Sequence, residues 1–237
     1  MQVFFLNQVV GMRGTLAGDE ARHCSKVLRH QVGDHIHGID GKGKKFLGEI
    51  MSIAKDRVIL SLSEQKHEWG EQPTYIRLGV SPLRLKDRFE WLIEKAVELG
   101  VHEIVPIICK RTYKYSGKWK SYRLATIILS AVKQSKRSRI PTFPSPTLFE
   151  DFIQSDSSSL RLMGYCEADS PIQAGRELIQ QAESISLLIG PEGDFSPEEV
   201  ALAGKAGFKP LSFGENRLRT ETAATFAMST IKLIKGY

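Results

Sequence analysis

Cysteines, long apolar runs and signal-peptide features are scarce or missing in this chain of 237 residues. Its three cysteines, Cys24, Cys109 and Cys166, are odd in number and widely spaced, so we expect neither a disulfide framework nor a zinc site. No stretch approaches the roughly 18 apolar residues of a membrane span, and MQVFFLNQVV lacks the basic region of a signal peptide. We therefore expect a soluble, cytoplasmic protein that binds no metal and no membrane.

The two common phosphate-binding motifs are also absent from the positions between a strand and a helix where they would bind phosphate. A P-loop needs G-x-x-x-x-G-K-[ST], and a dinucleotide fold needs G-x-G-x-x-G between a strand and a helix. Gly41 and Gly43 stand in a lysine-rich turn instead. The sequence therefore favours a ligand held through backbone groups, such as an adenosine derivative, over a nucleoside triphosphate.

Residues 185–200, ISLLIGPEGDFSPEEV, predict a strand, a loop and a helix in that order. The apolar run at 185–189 is typical of a parallel strand that is buried on both faces. The signals of a helix start and stop follow at Ser196, Pro197, Glu199 and Gly207. Gly190 and Gly193 of the loop allow the backbone to approach a ligand closely.

A second unit of the same design follows at once. Residues 210–213 predict a short strand, Gly214 opens a polar turn, and an alanine-rich helix is predicted over 221–234. In open α/β sheets ligands bind outside the carboxyl ends of the strands, where both loops would lie. We therefore expect the two loops to form two walls of one pocket.

The chain as a whole predicts two domains, at 1–70 and 74–237. The first has short strands at 3–6, 35–39, 45–53 and 57–62 and a helix at 19–30 whose apolar stripe comprises Ala21, Cys24, Val27 and Leu28. This pattern is typical of a small β-barrel, and the polar segment 63–73 is interpreted as a linker. The second domain has strands at 77–83, 102–108 and 160–166 and helices at 86–99, 120–136 and 172–183. This alternation predicts parallel α/β architecture.

Basic residues are concentrated in two segments of a chain with net charge +6 and pI near 9.2. KQSKRSR, at 133–139, holds four cations, and CKRTYKYSGKWKSYR, at 109–123, mixes cations with aromatic residues that include Tyr113 and Trp119. Cations beside aromatic rings are typical of a single-stranded RNA surface, although a solvated basic face has the same composition. The candidate RNA-binding residues are Arg22, Arg29, Arg111, Lys133, Lys136, Arg137 and Arg139.

Five motifs resemble one known family in order and spacing. They are ARHCSKVLRHQVGDHI, KDRFEWLIEKAVELGVHEIVPI, AVKQSKRSRIP, LLIGPEGDFSPEEV and LSFGENRLRTETAATFAM. By these motifs, which span nearly the whole chain, the sequence resembles the bacterial 16S ribosomal RNA uridine-N3 methyltransferases of the SPOUT superfamily. Three positions depart from the usual family pattern: Asp194 replaces a glycine, Arg217 replaces an aliphatic residue, and Lys133 stands where an acidic residue is common.

The resemblance implies a PUA-like barrel at the N-terminus and an α/β domain with a deep trefoil knot. It also implies a homodimer that uses S-adenosylmethionine to methylate N3 of a uridine of 16S ribosomal RNA in the small subunit, the modification m3U1498. Carried over by position, the cofactor would touch Leu188, Gly190, Pro191, Glu192, Gly193, Phe213, Gly214, Asn216, Leu218, Arg219, Thr222 and Ala223.

The chemistry of the reaction suggests two catalytic residues. Uridine N3 is a poor nucleophile until its proton leaves, so the site needs a cation near O2 or O4 and a proton acceptor. We expect Arg219 to supply the cation, and Glu221 either to accept the proton or to orient Arg219. A carboxylate at this position is also explained by the dipole at a helix start.

Two alternatives stay open at this point. The chain could be another SPOUT enzyme that acts on transfer RNA or on a ribose hydroxyl, which the position and chemistry of the product would reveal. It could also be a non-catalytic RNA-binding or assembly factor, which would bind RNA without binding the cofactor.

Overall fold

The computed structural model describes residues 2–113 and 121–237 and divides into two compact units. Unit 1 comprises Met1–Glu71 and Leu129–Ile140, and unit 2 comprises Gln72–Ile128 and Pro141–Tyr237. The sequence-based division places residues 129–140 in the second domain, whereas they pack within unit 1. No helix among the described residues is both long and apolar enough to cross a membrane.

Six strands of unit 1 form one mixed sheet in the order β1-β4-β5-β6-β3-β2. Their bounds are β1 Val3–Phe5, β2 Gln8–Val10, β3 Arg13–Ala17, β4 His35–Ile39, β5 Lys44–Ile53 and β6 Arg57–His67. The pair β1 and β4 is parallel and the other pairs are antiparallel. Because the two outermost strands, β1 and β2, are consecutive in the chain, the sheet must curl so that its edges approach each other.

The sequence analysis missed strands β2 and β3 and ended β6 too early. β6 continues to His67, where it pairs with Lys44 of β5, so the predicted linker at 63–73 is wrong over its first residues. The polar composition of this stretch misled the prediction because a strand that extends beyond the core needs no apolar face. Its place in the sheet comes from pairing with β5.

The first helix is shorter and less regular than predicted. The helix α1, Gly18–Arg22, is followed directly by a π-helical turn at His23–Val27. Ala21 and Cys24 of the predicted apolar stripe are buried, but Val27 and Leu28 are exposed. The wider π turn changes the angle between successive side chains, and the predicted stripe therefore leaves the core after Cys24.

Unit 2 contains a six-stranded sheet in the order β12-β10-β11-β7-β8-β9, and all of its strand pairs are parallel. The strands are β7 Tyr75–Val80, β8 Glu103–Ile108, β9 Thr147–Leu148, β10 Leu160–Gly164, β11 Ser184–Ile189 and β12 Lys209–Leu211. The helices of this unit are α2 Lys86–Glu98, α4 Phe149–Ser155, α5 Arg176–Gln181, α6 Pro197–Lys205 and α7 Thr220–Lys235. The helix α3, Ser121–Gln134, begins in unit 2, and its residues from Leu129 onward belong to unit 1. The predicted parallel α/β architecture is confirmed, although the sequence analysis missed β9 and α4.

Local sequence signals place several of these helices. In α2 the predicted apolar residues, Phe89, Leu92, Ile93, Ala96 and Val97, are all buried. The start of α6 has the predicted capping box. The neighbouring strands β12, β10 and β11 are parallel, so their carboxyl ends lie at one edge of the sheet, and the loops that follow them meet there.

Candidate functional site

A cavity of about 650 Å³ lies at the carboxyl ends of β10, β11 and β12. This volume is within the range of ligand pockets, roughly 300–1,000 Å³. Three loops contribute most of its lining, which comprises Gly164, Tyr165, Cys166, Glu167, Ile189, Gly190, Pro191, Glu192, Gly193, Asp194, Phe195, Pro197, Phe213, Gly214, Glu215, Asn216, Arg217, Leu218, Arg219, Thr220 and Ala223, with Arg88 and Arg111. The two glycine loops thus form walls of one pocket, as expected.

Most of the predicted cofactor-binding residues line this cavity. They are Gly190, Pro191, Glu192, Gly193, Phe213, Gly214, Asn216, Leu218, Arg219 and Ala223. Leu188 and Thr222 are not among the lining residues. The Leu188 side chain is fully buried in the core, and Thr222 is exposed on α7.

Close packing explains why a glycine opens the first loop. A Cβ atom added to Gly190 would lie 3.1 Å from the ring of Phe195, which is tighter than ordinary contact. The carbonyl oxygen of Gly190 accepts a hydrogen bond of 3.1 Å from the hydroxyl of Thr220, at the start of α7. This bond joins the first loop to the end of the second.

Asp194, which stands where the resemblance implies a glycine, has a positive φ angle. Its φ of +63° lies in the left-handed region, which favours glycine but also tolerates aspartate. Its carboxylate accepts hydrogen bonds from the backbone N–H of Phe195, at 2.8 Å, and of Cys166, at 3.1 Å. These bonds hold two cavity loops together and compensate for the unfavourable backbone conformation.

Arg111, a predicted RNA-binding residue, lies in the cavity wall. Its guanidinium donates hydrogen bonds to the carbonyl oxygens of Gly193, at 2.8 Å, and Phe195, at 3.2 Å. These carbonyls belong to the first glycine loop, so Arg111 fixes the shape of that loop. Arg111 is also exposed, and its predicted RNA contact stays a prediction.

The two predicted catalytic residues differ in their surroundings. Arg219 is exposed and lines the cavity directly before α7. Glu221 is buried, and its two carboxylate oxygens accept hydrogen bonds of 2.7 Å from Nε and Nη2 of Arg88. The partner of Glu221 is therefore Arg88 on α2, which corrects the hypothesis that Glu221 orients Arg219.

The loop after β10 adds an unexpected wall with two titratable groups. The hydroxyl of Tyr165 donates a hydrogen bond to Glu167, and this bond together with burial raises the pKa of Tyr165. Burial, and then the hydrogen bond and negative charge of Asp194, raise the pKa of Cys166. The thiol of Cys166 is therefore protonated at neutral pH.

The sequence analysis missed this third loop and Arg88. The loop could have been found, since it follows a predicted parallel strand at the same edge of the sheet. Arg88 offered no such signal, because it lies 133 residues from Glu221 in the sequence.

The basic residues at 133–139 lie within unit 1, where acidic partners engage most of them. Arg137 is 3% exposed and donates from Nε and Nη2 to Glu71, at 3.0 and 2.8 Å. A side chain so deeply buried offers no surface to RNA, and the predicted contact of Arg137 is corrected to a buried ion pair. Lys133 forms an ion pair with Glu20.

The remaining candidates in unit 1 are accessible. Arg139 is exposed and paired with Glu68, and Arg22 is exposed and paired with Asp19. Arg29 and Lys136 are exposed and have positive φ angles of 58° and 59°. These four side chains stay predicted RNA contacts.

In the described part of the basic and aromatic segment at 109–123, two of the cations pair with acidic side chains. Lys110 pairs with Glu198, and Arg123 makes two bonds of 2.6 Å to Glu90. Tyr113 is 53% exposed, and the guanidinium of Arg84 lies 5.0 Å from its ring centroid. The predicted stacking residue Trp119 lies outside the described residues.

Two family models match the chain. The model described as an RNA methyltransferase domain matches residues 70–232, and the model described as an RNA methyltransferase PUA domain matches residues 16–63. Among curated proteins, Ribosomal RNA small subunit methyltransferase E of Synechocystis sp. is 29% identical over 96% of this chain and 75% of that protein.

Solved structures match over almost the full length. Ribosomal RNA small subunit methyltransferase E from Neisseria gonorrhoeae, bound to S-adenosyl methionine, is 27% identical with a TM-score of 0.88, over 98% of this chain and 97% of that chain. A probable rRNA-methyltransferase from Porphyromonas gingivalis is 32% identical with a TM-score of 0.88, over 99% of this chain and 98% of that chain.

Proposed function

The chain belongs to the RNA methyltransferase family that includes ribosomal RNA small subunit methyltransferase E, and we propose that it transfers a methyl group from S-adenosylmethionine to N3 of a uridine in 16S ribosomal RNA. The observation that carries this proposal is the single cavity that the GPEG and LRTETA loops form together. It also lies where α/β sheets bind their ligands.

The residues of the cavity fit S-adenosylmethionine. This cofactor carries an ammonium, a carboxylate and a sulfonium, and the lining offers charges of both signs, among them Arg217, Glu192 and Glu167. Gly214 has a φ of +112°, and a Cβ atom added there would meet no atom within 4 Å. An adenosine can therefore approach the backbone of the second loop closely.

Within this site, we assign Arg219 the stabilisation of charge on the substrate. The bound cofactor supplies the methyl group on an electrophilic sulfonium. Loss of the N3 proton leaves negative charge on O2 and O4 of the uracil ring, and an exposed guanidinium at the cavity wall can neutralise it. Arg219 is such a group, and α7 begins at the next residue, which limits its movement.

Glu221 is poorly placed as the proton acceptor. Both of its carboxylate oxygens already accept bonds from Arg88, and the side chain is buried. We therefore keep Arg219 as the proposed catalytic residue and place Glu221 in a supporting role.

The finer structural proposals rest on family membership. We propose that residues 1–70 form a PUA-like RNA-binding domain and residues 74–237 a methyltransferase domain with a deep trefoil knot. We also propose a homodimer, which the exposed apolar side chains of Phe226, Leu233 and Tyr237 at the C-terminal end of the chain support. A 16S rRNA substrate implies a cytoplasmic protein.

The RNA surface is proposed to include the accessible cations of unit 1. Arg22, Arg29, Lys136 and Arg139 provide positive charge for phosphate groups, and each phosphate contact contributes to the salt dependence of binding. Replacing Arg29 and Lys136 together by Gln should therefore reduce the salt slope as well as the affinity for RNA.

Labelled methyl transfer tests the proposal. The purified protein and labelled S-adenosylmethionine are incubated together in three separate reactions. The first contains small ribosomal subunits that lack the modification, the second contains free 16S rRNA, and the third contains transfer RNA. Label in 16S rRNA supports the proposal, and label in transfer RNA alone overturns it in favour of the other enzyme class. Arg219→Ala should lose at least about 100-fold in turnover at saturating S-adenosylmethionine. Arg219→Ala with full turnover removes Arg219 from the mechanism.

A further inference from the structure

A partly buried ion pair joins two helices at the edge of the cavity. Arg88 lies in the first turn of α2, and Glu221 lies in the first turn of α7. The guanidinium and carboxylate face each other in the bidentate arrangement, with Nε to Oε1 and Nη2 to Oε2 both at 2.7 Å. A planar pair of this kind fixes orientation as well as distance.

The location of this pair connects it to the ligand site. Arg88 lines the cavity, and α2 packs against α7. The residues on either side of Glu221 also reach the cavity: Arg219 and Thr220 precede it, and Ala223 follows it. Any rotation of the first turn of α7 would therefore move three residues of the cavity wall.

We propose that Arg88 is a positioning residue that acts through Glu221 and holds the first turn of α7 in the orientation that shapes the cofactor cavity. Thr220 provides the second fixed point, because its hydroxyl bonds to the Gly190 carbonyl of the opposite loop. The start of α7 is therefore bonded to α2 through Glu221 and to the first glycine loop through Thr220, and these two contacts fix its position and rotation. The identity of the ligand rests on the proposed function, whereas the coupling between Arg88 and Glu221 does not.

The low exposure of the pair determines the effect of replacing one or both of its residues. Both side chains are largely removed from solvent, with exposed fractions of 26% for Arg88 and 10% for Glu221. Removing one partner would leave the other charge buried without compensation, and removing both would not. A variant that replaces both residues with neutral side chains of similar size should therefore fold.

A double-mutant cycle tests the proposal. The variants are Arg88→Met, Glu221→Gln and the double variant, and the control is Glu90→Gln, which breaks the similar bidentate pair with Arg123 elsewhere on α2. Calorimetry without RNA gives the Kd for S-adenosylmethionine. We expect each single variant to raise the Kd about tenfold or more and the double variant to raise it no further, while Glu90→Gln stays within about twofold of wild type.

Hydrogen exchange of the ligand-free protein gives a second readout. The amides of Ala223 and Ala224 should exchange about tenfold faster in Arg88→Met than in wild type, and not in Glu90→Gln. Kd losses that multiply in the double variant would overturn the proposal, because Arg88 would then act independently of Glu221. Unchanged exchange at the start of α7 would overturn it as well. If wild type binds no S-adenosylmethionine, the proposed function fails, and the exchange data alone decide the role of Arg88.

Discussion

Thr220 donates its hydroxyl hydrogen to the backbone carbonyl of Gly190, 30 residues earlier in the chain. Both residues are buried, so the loss of this bond leaves a carbonyl group without its partner. The bond therefore determines how closely the second loop approaches the first, and it should contribute to ligand affinity as well as stability.

Thr220→Val tests this contribution. Valine has the shape of threonine without the donor, and we expect a loss of about 1–3 kcal/mol in the free energy of unfolding and a weaker Kd for S-adenosylmethionine. Thr220→Ser retains the hydroxyl and should keep most of the affinity. Equal Kd values for the valine and serine variants, measured by calorimetry, would show that the hydrogen bond has no part in the site.

Alanine substitutions at two glycines allow the energetic effect of backbone strain to be measured apart from that of steric contact. A Cβ atom added to Gly214 or to Gly204 would meet no atom within 4 Å, but Gly214 alone has a positive φ, of +112°. Gly214→Ala should therefore lower the free energy of unfolding by about 1–2 kcal/mol, whereas Gly204→Ala, within α6, should raise it by about 0.5–1 kcal/mol. Urea denaturation measures both, and a stabilised Gly214→Ala would contradict the assigned loop conformation.

The reactivity of the Cys166 thiol can serve as a probe of the cavity, because Cys166 is exposed whereas Cys24 and Cys109 are buried. Burial and the carboxylate of Asp194 raise the pKa of Cys166, so its alkylation by iodoacetamide should be slow at pH 7 and accelerate as pH rises above 9.

S-adenosylmethionine should protect Cys166 from this alkylation, and Asp194→Asn should increase the rate at pH 8, since the charge that disfavours the thiolate is removed. Mass spectrometry of the modified peptide measures each rate. Alkylation that S-adenosylmethionine leaves unchanged would place the ligand away from the loop after β10.

The buried and exposed ion pairs of unit 1 should differ in energy. Arg137→Ala leaves Glu71 buried without its partner and should lower the free energy of unfolding by about 3–5 kcal/mol. Arg139→Ala breaks an exposed pair with Glu68 and should cost about 1 kcal/mol or less. Chemical denaturation compares the two. A small effect of Arg137→Ala would return this residue to the candidate RNA contacts.

The sequence predicted the parts of the structure that local signals determine. The capping box at Ser196 and Glu199 and the apolar stripe of α2 depend on residues a few positions apart. The two glycine loops were located because parallel strands place their carboxyl ends together. The family, the methyltransferase class and the cofactor were predicted from the resemblance of five motifs along the chain, and the comparisons confirm them.

Contacts between distant segments could not be predicted in this way. The basic character of KQSKRSR is evident from the sequence, but the sequence does not indicate that Arg137 pairs with Glu71, 66 residues away. Arg88 and Glu221 are 133 residues apart, and each has an ordinary helix-start sequence. Their pairing exists only once α2 packs against α7, and for this reason Glu221 was assigned to Arg219.

The most direct test of the account is the identity of the product. Small ribosomal subunits that lack the modification are incubated with the protein and S-adenosylmethionine, and the 16S rRNA is digested to nucleosides for chromatography and mass spectrometry. The account predicts N3-methyluridine at one site. A methylated ribose or a different methylated base would contradict it, even if the cofactor binds in the predicted cavity.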